Sequence, residues 1–331
     1  MIMIKKTVNK NEVIELITAG KKLILAADEK ILNDLPKGQW IAGTIPYFMD
    51  EDGGKFTQEE VFVTELPDYV ASIDVQVYSK ETLSSVYSDA PGNGFTFIII
   101  PATSPTHISF AIDGPNYPEF ATKPLIGWIS GVFLDELGQT APKVLNGNTG
   151  ESYTDSAVVM HIALPSNKLP QVNIVNLFDS GDGDTITFNE EGFSVKEAFV
   201  NGEPVNFAEY ILGNNIDTRL PLVADMYGAR INTSFQNVNE AEKVVNLYAP
   251  VFREVEYKIA EPVSDYVTEF NQLIPKDIGD TVFFSCNCIL NYLYAELEGK
   301  KTADITGPMT FGEIAYQLLN QTMAYIIIED C

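Results

Sequence analysis

The 331 residues carry 46 acidic against 21 basic side chains, a formal net charge of −25. A field of that sign repels phosphate backbones and anionic lipid surfaces, so neither nucleic acid nor a membrane is expected as a partner. An apolar fraction of 45% is that of a globular chain with a large core, and it argues against disorder.

The start of the chain, Met1-Ile2-Met3-Ile4-Lys5-Lys6, has too short an apolar stretch for the core of a signal peptide, and Asn9-Lys10-Asn11-Glu12 is already polar. No apolar run approaches the roughly 18 residues needed to span a bilayer. Three cysteines, an odd number in a long chain, suit a reducing compartment without a disulfide framework. A cytoplasmic location is the expectation.

In chain order, Asn11 with Val13, Ile14 and Ile17, closing at Gly20, predicts a short capped helix. Leu23–Ala27 is too short to assign. Trp40–Ile45 predicts a strand running into Pro46–Asp50 and a turn at Gly53-Gly54. Val61–Val63 predicts a strand, Lys80–Tyr87 a modest helix, and Phe95–Ile100 a strongly apolar strand stopped by Pro101. Residues 101–124, rich in Pro, Thr, Ser and Gly, read as a long binding or covering loop. Leu125–Leu134 is an apolar run broken by Gly127 and Gly131, Asn146–Gly150 a hairpin turn, and Ser156–Leu164 a strand. A boundary near Pro165–Gln171 divides the chain into halves 1–167 and 168–331.

The second half opens with a strand Val172–Phe178 and an acidic turn Asp179–Asp184, followed by short strands near 185–188 and 197–200. Asn201-Gly202 is another hairpin turn, and Pro204–Leu212 predicts a helix with proline at its first position. Segments 229–233, 244–248 and 252–259 read as antiparallel strands. Val263, Tyr266, Val267, Phe270, Leu273 and Ile274 then follow helical periodicity up to Pro275. A buried strand Thr281–Cys286, a helix Ile289–Leu297, a turn Thr306–Pro308 and a last strand Thr322–Ile328 complete the chain. The fold class is mixed α/β: layered mixed sheets with helices packed outside, in two halves. No internal repeat is visible, although strands in both halves end on Thr or on Ser-Cys.

Asp179–Glu190 has the length of an EF-hand loop, but Gly181 and Gly183 stand where carboxylates are needed, and Asp184 where glycine is needed. Cys286-Asn287-Cys288 lacks the second pair that a zinc site requires, so no metal is expected. Phosphate-loop, dinucleotide and nucleophile-elbow motifs are missing, and no cofactor is expected. With two histidines, His107 and His161, the one catalytic alternative is a cysteine-dependent hydrolase or transferase built on Cys286 and a histidine base. Glu313, in Phe311-Gly312-Glu313-Ile314, suits an ammonium-binding group, a base or a cap on a helix over Ile314–Leu319.

Phe283-Phe284-Ser285-Cys286, followed by Ile305–Ile314 and by Leu319-Asn320-Gln321-Thr322 before a terminal strand, resembles the end of FIST domains (F-box and intracellular signal transduction proteins). Those domains close on a Phe-Ser-Cys strand end, an aromatic-Gly-Glu corner and an Asn-Gln turn. Val200–Val205 is similar to the family's Asn-Gly hairpin, and Pro124–Gly131 to its Gly-Gly segment, here Gly127-Trp128. Gly43-Thr44 stands where the first half shows a strand ending in Gly-x-Ser/Thr. The family's cysteine is followed by x-Gly-Arg, whereas Asn287-Cys288-Ile289 follows Cys286 here.

The resemblance implies a sensory, non-catalytic protein that holds a small polar ligand such as an amino acid. The chain is then expected to act alone, reporting through a separate signalling protein or its own assembly. Open α/β sheets hold ligands beyond the carboxyl ends of their strands. The expected ligand-binding residues are Ser285, Cys286, Asn287, Phe311, Gly312 and Glu313, with Thr44 and Tyr47 contributed by the first half.

Overall fold

Leu23–Ala27, too short to assign from sequence, is buried along its whole length and lies parallel to the strand Trp40–Thr44, with the helix Glu29–Leu32 between them. The same strand–helix–strand unit recurs twice in the computed structural model, which describes residues 5–226, 228–275 and 278–331. Gly94–Pro101 lies parallel to Leu125–Ser130 across the helix Pro105–Asp113. Val282–Cys288 lies parallel to Gly307–Thr310 across the helix Ile289–Tyr294. A helical crossover is what a parallel pair requires.

Around each parallel pair the chain repeats one plan. An opening strand (Lys5–Asn9, Ser72–Tyr78 or Lys168–Val175) and a returning strand (Glu60–Glu65, Ala157–Ala163 or Met323–Asp330) pair antiparallel, and the returning strand flanks the first parallel strand. Before returning, each unit sends a hairpin into another unit's sheet. Tyr47–Asp50 and Gly53–Phe56 extend the third sheet, Val144–Asn146 and Glu151–Tyr153 the first, and Glu313–Ala315 and Gln317–Leu319 the second. The result is three six-stranded mixed sheets with a cyclic exchange of hairpins. The three units span 5–65, 72–163 and 168–330, so an internal repeat exists in the topology that no stretch of residues displays. Position 167/168 falls between the second and third units, and strands from both sides of it share sheets.

The third unit carries an insertion, residues 176–261, between its opening strand and its first helix. The insertion holds a six-stranded and a three-stranded sheet around a small core of its own, which includes Phe188, Phe207, Phe235 and Tyr257. The main core lies between the three large sheets. Phe97 and Phe284 meet edge-on at 4.7 Å, and Trp128 lies stacked on Phe284 at 5.5 Å. Burying each such ring contributes on the order of 2 kcal/mol, which makes the contact between the second and third sheets a main source of stability. A separate apolar cluster under the helix Lys10–Thr18 covers the outer face of the first sheet, and another under Pro105–Asp113 covers that of the second.

Several local expectations are corrected. The helix at the start is capped by Asn9, whose side chain accepts from Glu12 N, and not by Asn11. Residues 80–87 form only a short 3-10 turn, Leu83–Ser85. The presumed loop 101–124 contains the nine-residue helix Pro105–Asp113, started by Ser104 as N-cap and by proline at the first turn. Pro204 lies in the strand Glu203–Asn206, and the helix starts at Phe207 behind the cap Asn206. The turn Thr306–Pro308 gives way to the strand Gly307–Thr310, and no helix follows Glu313, whose segment is a hairpin. The signal-peptide reading of the first residues rests on Met1–Ile4, outside the described residues. No helix among the described residues is long and apolar enough to cross a membrane.

Candidate functional site

The last rungs of the three parallel ladders are Ala27 with Thr44, Pro101 with Ser130, and Cys288 with Thr310. All three second strands therefore end on a buried hydroxyl residue, and these are the carboxyl ends at which open α/β sheets hold ligands. The predicted residues are distributed over these equivalent places and do not meet in one cleft.

Thr44 donates to Gly131 O at 2.7 Å and accepts from Lys143 N at 2.9 Å, so its hydroxyl ties the first unit to the second. It lines a cavity of about 160 Å³ with Asp28, Glu29, Gly131, Phe133 and Glu136. Tyr47 packs among Phe56, Phe133 and Tyr292, its oxygen accepts from Leu134 N at 3.3 Å, and burial pushes its phenol up. Phe311 covers Gly131, and Gly312 O accepts from Ile129 N at 2.8 Å, which continues the second sheet into the hairpin.

Ser285, Cys286, Asn287 and Glu313 are buried. Ser285 donates to Thr306 O at 2.9 Å, and the Cys286 thiol donates to Gly127 O at 3.4 Å. Burial raises the Cys286 thiol well above its ordinary range, with Glu313 and Cys288 adding to the effect. His161 has both ring nitrogens engaged, by Tyr78 OH and Thr96 Oγ1, each at 2.9 Å. His107 accepts from Thr103 N, packs edge-on against Phe193, and is pushed down to about 4 by burial. Neither histidine hydrogen-bonds Cys286, and its burial, with Glu313 and Cys288 close by, keeps the thiol protonated. A thiol reagent added to native protein is expected to modify the exposed Cys331 alone, and all three cysteines only after unfolding. Native labelling of Cys286 as fast as Cys331 would overturn that assignment.

Glu313 is fully buried in the hairpin that the third unit lends to the second sheet, opposite Trp128. One oxygen accepts from Thr322 N at 3.2 Å and Thr322 Oγ1 at 2.8 Å, and the other faces Thr310 Oγ1 at 3.4 Å. Burial pushes its carboxyl up to about 8, against the opposing hydrogen bonds from Thr322, Cys288 and Thr310. It is a neutral carboxylic acid near pH 7. Its counterparts by register in the other two exchanged hairpins are Leu145, opposite Ala42, and Phe48, opposite Pro308, so the acid occupies an apolar position of the repeat.

From this acid a polar chain leads outward. Asn287 Oδ1 accepts from Cys288 N at 2.7 Å and from Asn291 Nδ2 at 2.9 Å, and Asn287 Nδ2 donates to Tyr266 OH at 3.1 Å. Tyr266 and Asn291, with Gln321, line a cleft of about 580 Å³ between the insertion and the third unit. The helix Tyr266–Leu273 forms one wall, Asn291 to Glu296 a second, and Asp217 to Leu220 of the insertion a third. The mouth carries both signs: Arg219 paired with Asp217 at 2.6 Å, Lys300, Asp265 and Glu296. Asp265 is held as the N-cap of its helix by Thr268 N and Thr268 Oγ1.

Sequence reasoning missed this cleft. Tyr266 counted only as part of an apolar stripe, although its hydroxyl is what matters here. Asn291 follows Asn287 by four residues, a spacing that places two amides side by side at the start of a helix, and that signal was available. The EF-hand-like segment is an acidic turn: Asp179 pairs with Arg230, and Asp184 accepts from Tyr210 and Asn201. Among the described residues no three His, Cys, Asp or Glu side chains stand together as metal ligands would.

The model of a family of unknown function, DUF6976, matches residues 8–329. The chain belongs to that family. The match runs through all three units and the insertion, so the cleft between insertion and third unit lies wholly inside the family's span. No curated protein matches the chain.

Proposed function

We propose that this protein is a cytoplasmic, FIST-type sensory protein that binds a small polar molecule without turning it over. The ligand sits in the cleft between the insertion and the third unit. One observation carries the reading: three buried polar side chains, Tyr266, Asn291 and Gln321, form the floor of a cleft at the carboxyl end of a parallel strand pair. Concave sites with a few fixed polar groups at strand ends are where α/β proteins hold small ligands. Of the FIST-like residues, Asn287 supports that floor from behind through its bonds to Tyr266 and Asn291. Arg219 and Lys300 on one hand, and Asp265 and Glu296 on the other, suit a zwitterion such as an amino acid. A separate signalling protein would read the state of the insertion.

A thermal-shift panel of amino acids, dipeptides and small acids tests the proposal. A ligand present at about a hundred times its Kd adds roughly 2.7 kcal/mol, enough to raise Tm by several degrees. The expected hit loses its shift in Asn291→Leu and keeps it in Thr44→Val. The reading fails if no compound shifts Tm, or if the shift survives Asn291→Leu unchanged.

A further inference from the structure

Gln321 lies in the turn that leads into the last strand, Met323–Asp330, and its buried side chain does two things at once. It lines the cleft, and both ends of its amide reach the insertion. The orientation of that amide follows from its partners. Arg219 O can only accept, so the atom 3.0 Å from it is Nε2. The atom 2.7 Å from Ser234 Oγ is then the carbonyl oxygen, to which the serine donates.

The segment that Nε2 holds is the third wall of the cleft. Residues 214–221 run without helix or strand between the helix Phe207–Gly213 and the strand Leu222–Met226. Their own contacts stay inside the insertion. Ile216 N donates to Ile211 O, and Pro221 O accepts from Ala260 N. Leu220 packs against Phe178, Val223 and Ala260. Arg219 bonds Asp217 of the same turn through its backbone N and its guanidinium, and Leu220 N donates to Asp217 O. Among the described residues, the one hydrogen bond from this segment to the third unit is the one that Arg219 O accepts from Gln321. A loop anchored at its ends and clipped at its middle by a single bond opens far more easily than the domain unfolds, because water replaces the bond that is lost.

We infer that residues 214–221 form a lid on the cleft, latched by Gln321. With the latch made, Asp217 and Arg219 stand at the mouth. With it broken, the segment swings out on its anchors and lets a ligand enter or leave. The lid's part in binding rests on the cleft being the ligand site, whereas the latch is tested without any ligand.

Trypsin reads the latch at Arg219, whose side chain is 67% exposed but whose backbone must leave the cleft wall to enter a protease. When opening is fast, cleavage tracks the open population. Gln321→Leu removes the donor, and Gln321→Glu removes it while keeping an acceptor for Ser234. Either is expected to speed cleavage after Arg219 about fivefold, the worth of one hydrogen bond. Two controls are expected to change less than about twofold: Ser234→Ala, which cuts only the other end of the amide, and cleavage after Lys243, 60% exposed in another turn of the insertion. An unchanged rate at Arg219 overturns the latch. Equal acceleration by Ser234→Ala or at Lys243 also overturns it, since Gln321 would then only pack the seam. So does failure of both Gln321 variants to fold, because a clip on one loop does not carry the fold. Any amino acid that raises Tm in the panel above is expected to slow wild-type cleavage after Arg219. A hit that leaves that rate unchanged removes the lid's part in binding, while an empty panel ends the binding reading and leaves the latch to the trypsin rates alone.

Discussion

Glu313→Gln is expected to leave stability almost unchanged at pH 5 and to make the protein more stable than wild type at pH 8.5, by on the order of 4 kcal/mol. The carboxyl is fully buried and titrates near 8, against an ordinary value of 4.5. Between those two values the native state holds a proton that the unfolded chain has released. Stability from this group is therefore fully present below pH 4.5, declines across the interval and is lost as pH rises through 8, at about 1.4 kcal/mol per pH unit. Glutamine keeps the shape and the acceptor facing Thr322 N and Thr322 Oγ1, offers an N–H toward Thr310 and Cys288, and does not titrate. The other acidic groups titrate in both proteins and cancel in the comparison. Urea unfolding of the two proteins at pH 5.5, 7 and 8.5 measures it. Parallel stability curves would show that the acid ionises freely and that its burial has been misjudged.

The acid's placement illustrates what the sequence discloses and what it conceals. Strands apolar on both faces, such as Gly94–Pro101 and Val282–Cys288, are legible because a buried strand must be apolar throughout. The helix Pro105–Asp113 is not, because Pro, Thr, Ser and His dominate its first turn and only the Ser104-Pro105 start signal betrays it. The threefold plan is hidden more deeply. Ala42-Gly43-Thr44, Trp128-Ile129-Ser130 and Pro308-Met309-Thr310 share little beyond a terminal hydroxyl, and the insertion 176–261 obscures the spacing of the third unit. The strand ends Thr44, Ser130 and Thr310 are the visible trace of that repeat, whereas Ser285-Cys286 lies inside its strand.

The candidate site follows the same logic. Of the local motif, Phe311-Gly312-Glu313 follows the end of a parallel pair, whereas Ser285-Cys286 lies inside the strand Val282–Cys288, beside the start of Gly307–Thr310. Whether such residues face a ligand depends on what covers them, and here the crossover helix and the exchanged hairpin do. The buried side chains of Tyr266 and Asn291 line the cleft and are joined to each other through Asn287 behind them, a connection made in space. Thr44 and Tyr47, expected beside them, occupy the equivalent strand end of a different unit.

The sharpest test of the interlocked sheets is a pair of alanine substitutions at Gly127 and Gly131. A Cβ at Gly127 would run into the Ile98 carbonyl, 2.7 Å from its carbon, within the parallel pair Gly94–Pro101 and Leu125–Ser130. That neighbour is backbone in a fully buried strand, and Gly127 also supplies the carbonyl that accepts from Cys286 across the sheets. Nothing soft is available to yield, so Gly127→Ala must displace a strand and the aromatic contact of Trp128 with Phe284, at a cost of at least about 3 kcal/mol. The nearest atoms a Cβ at Gly131 would meet belong to the Phe311 ring, a part-buried side chain. Relief needs the whole Phe311 side chain to shift, which a side chain can do and a strand carbonyl cannot, and Gly131→Ala is expected to cost about 1 kcal/mol. Urea midpoints separate the two: a large loss at Gly127, or failure to fold, beside a small one at Gly131. Equal and small effects would mean that the second and third sheets are not locked at this point.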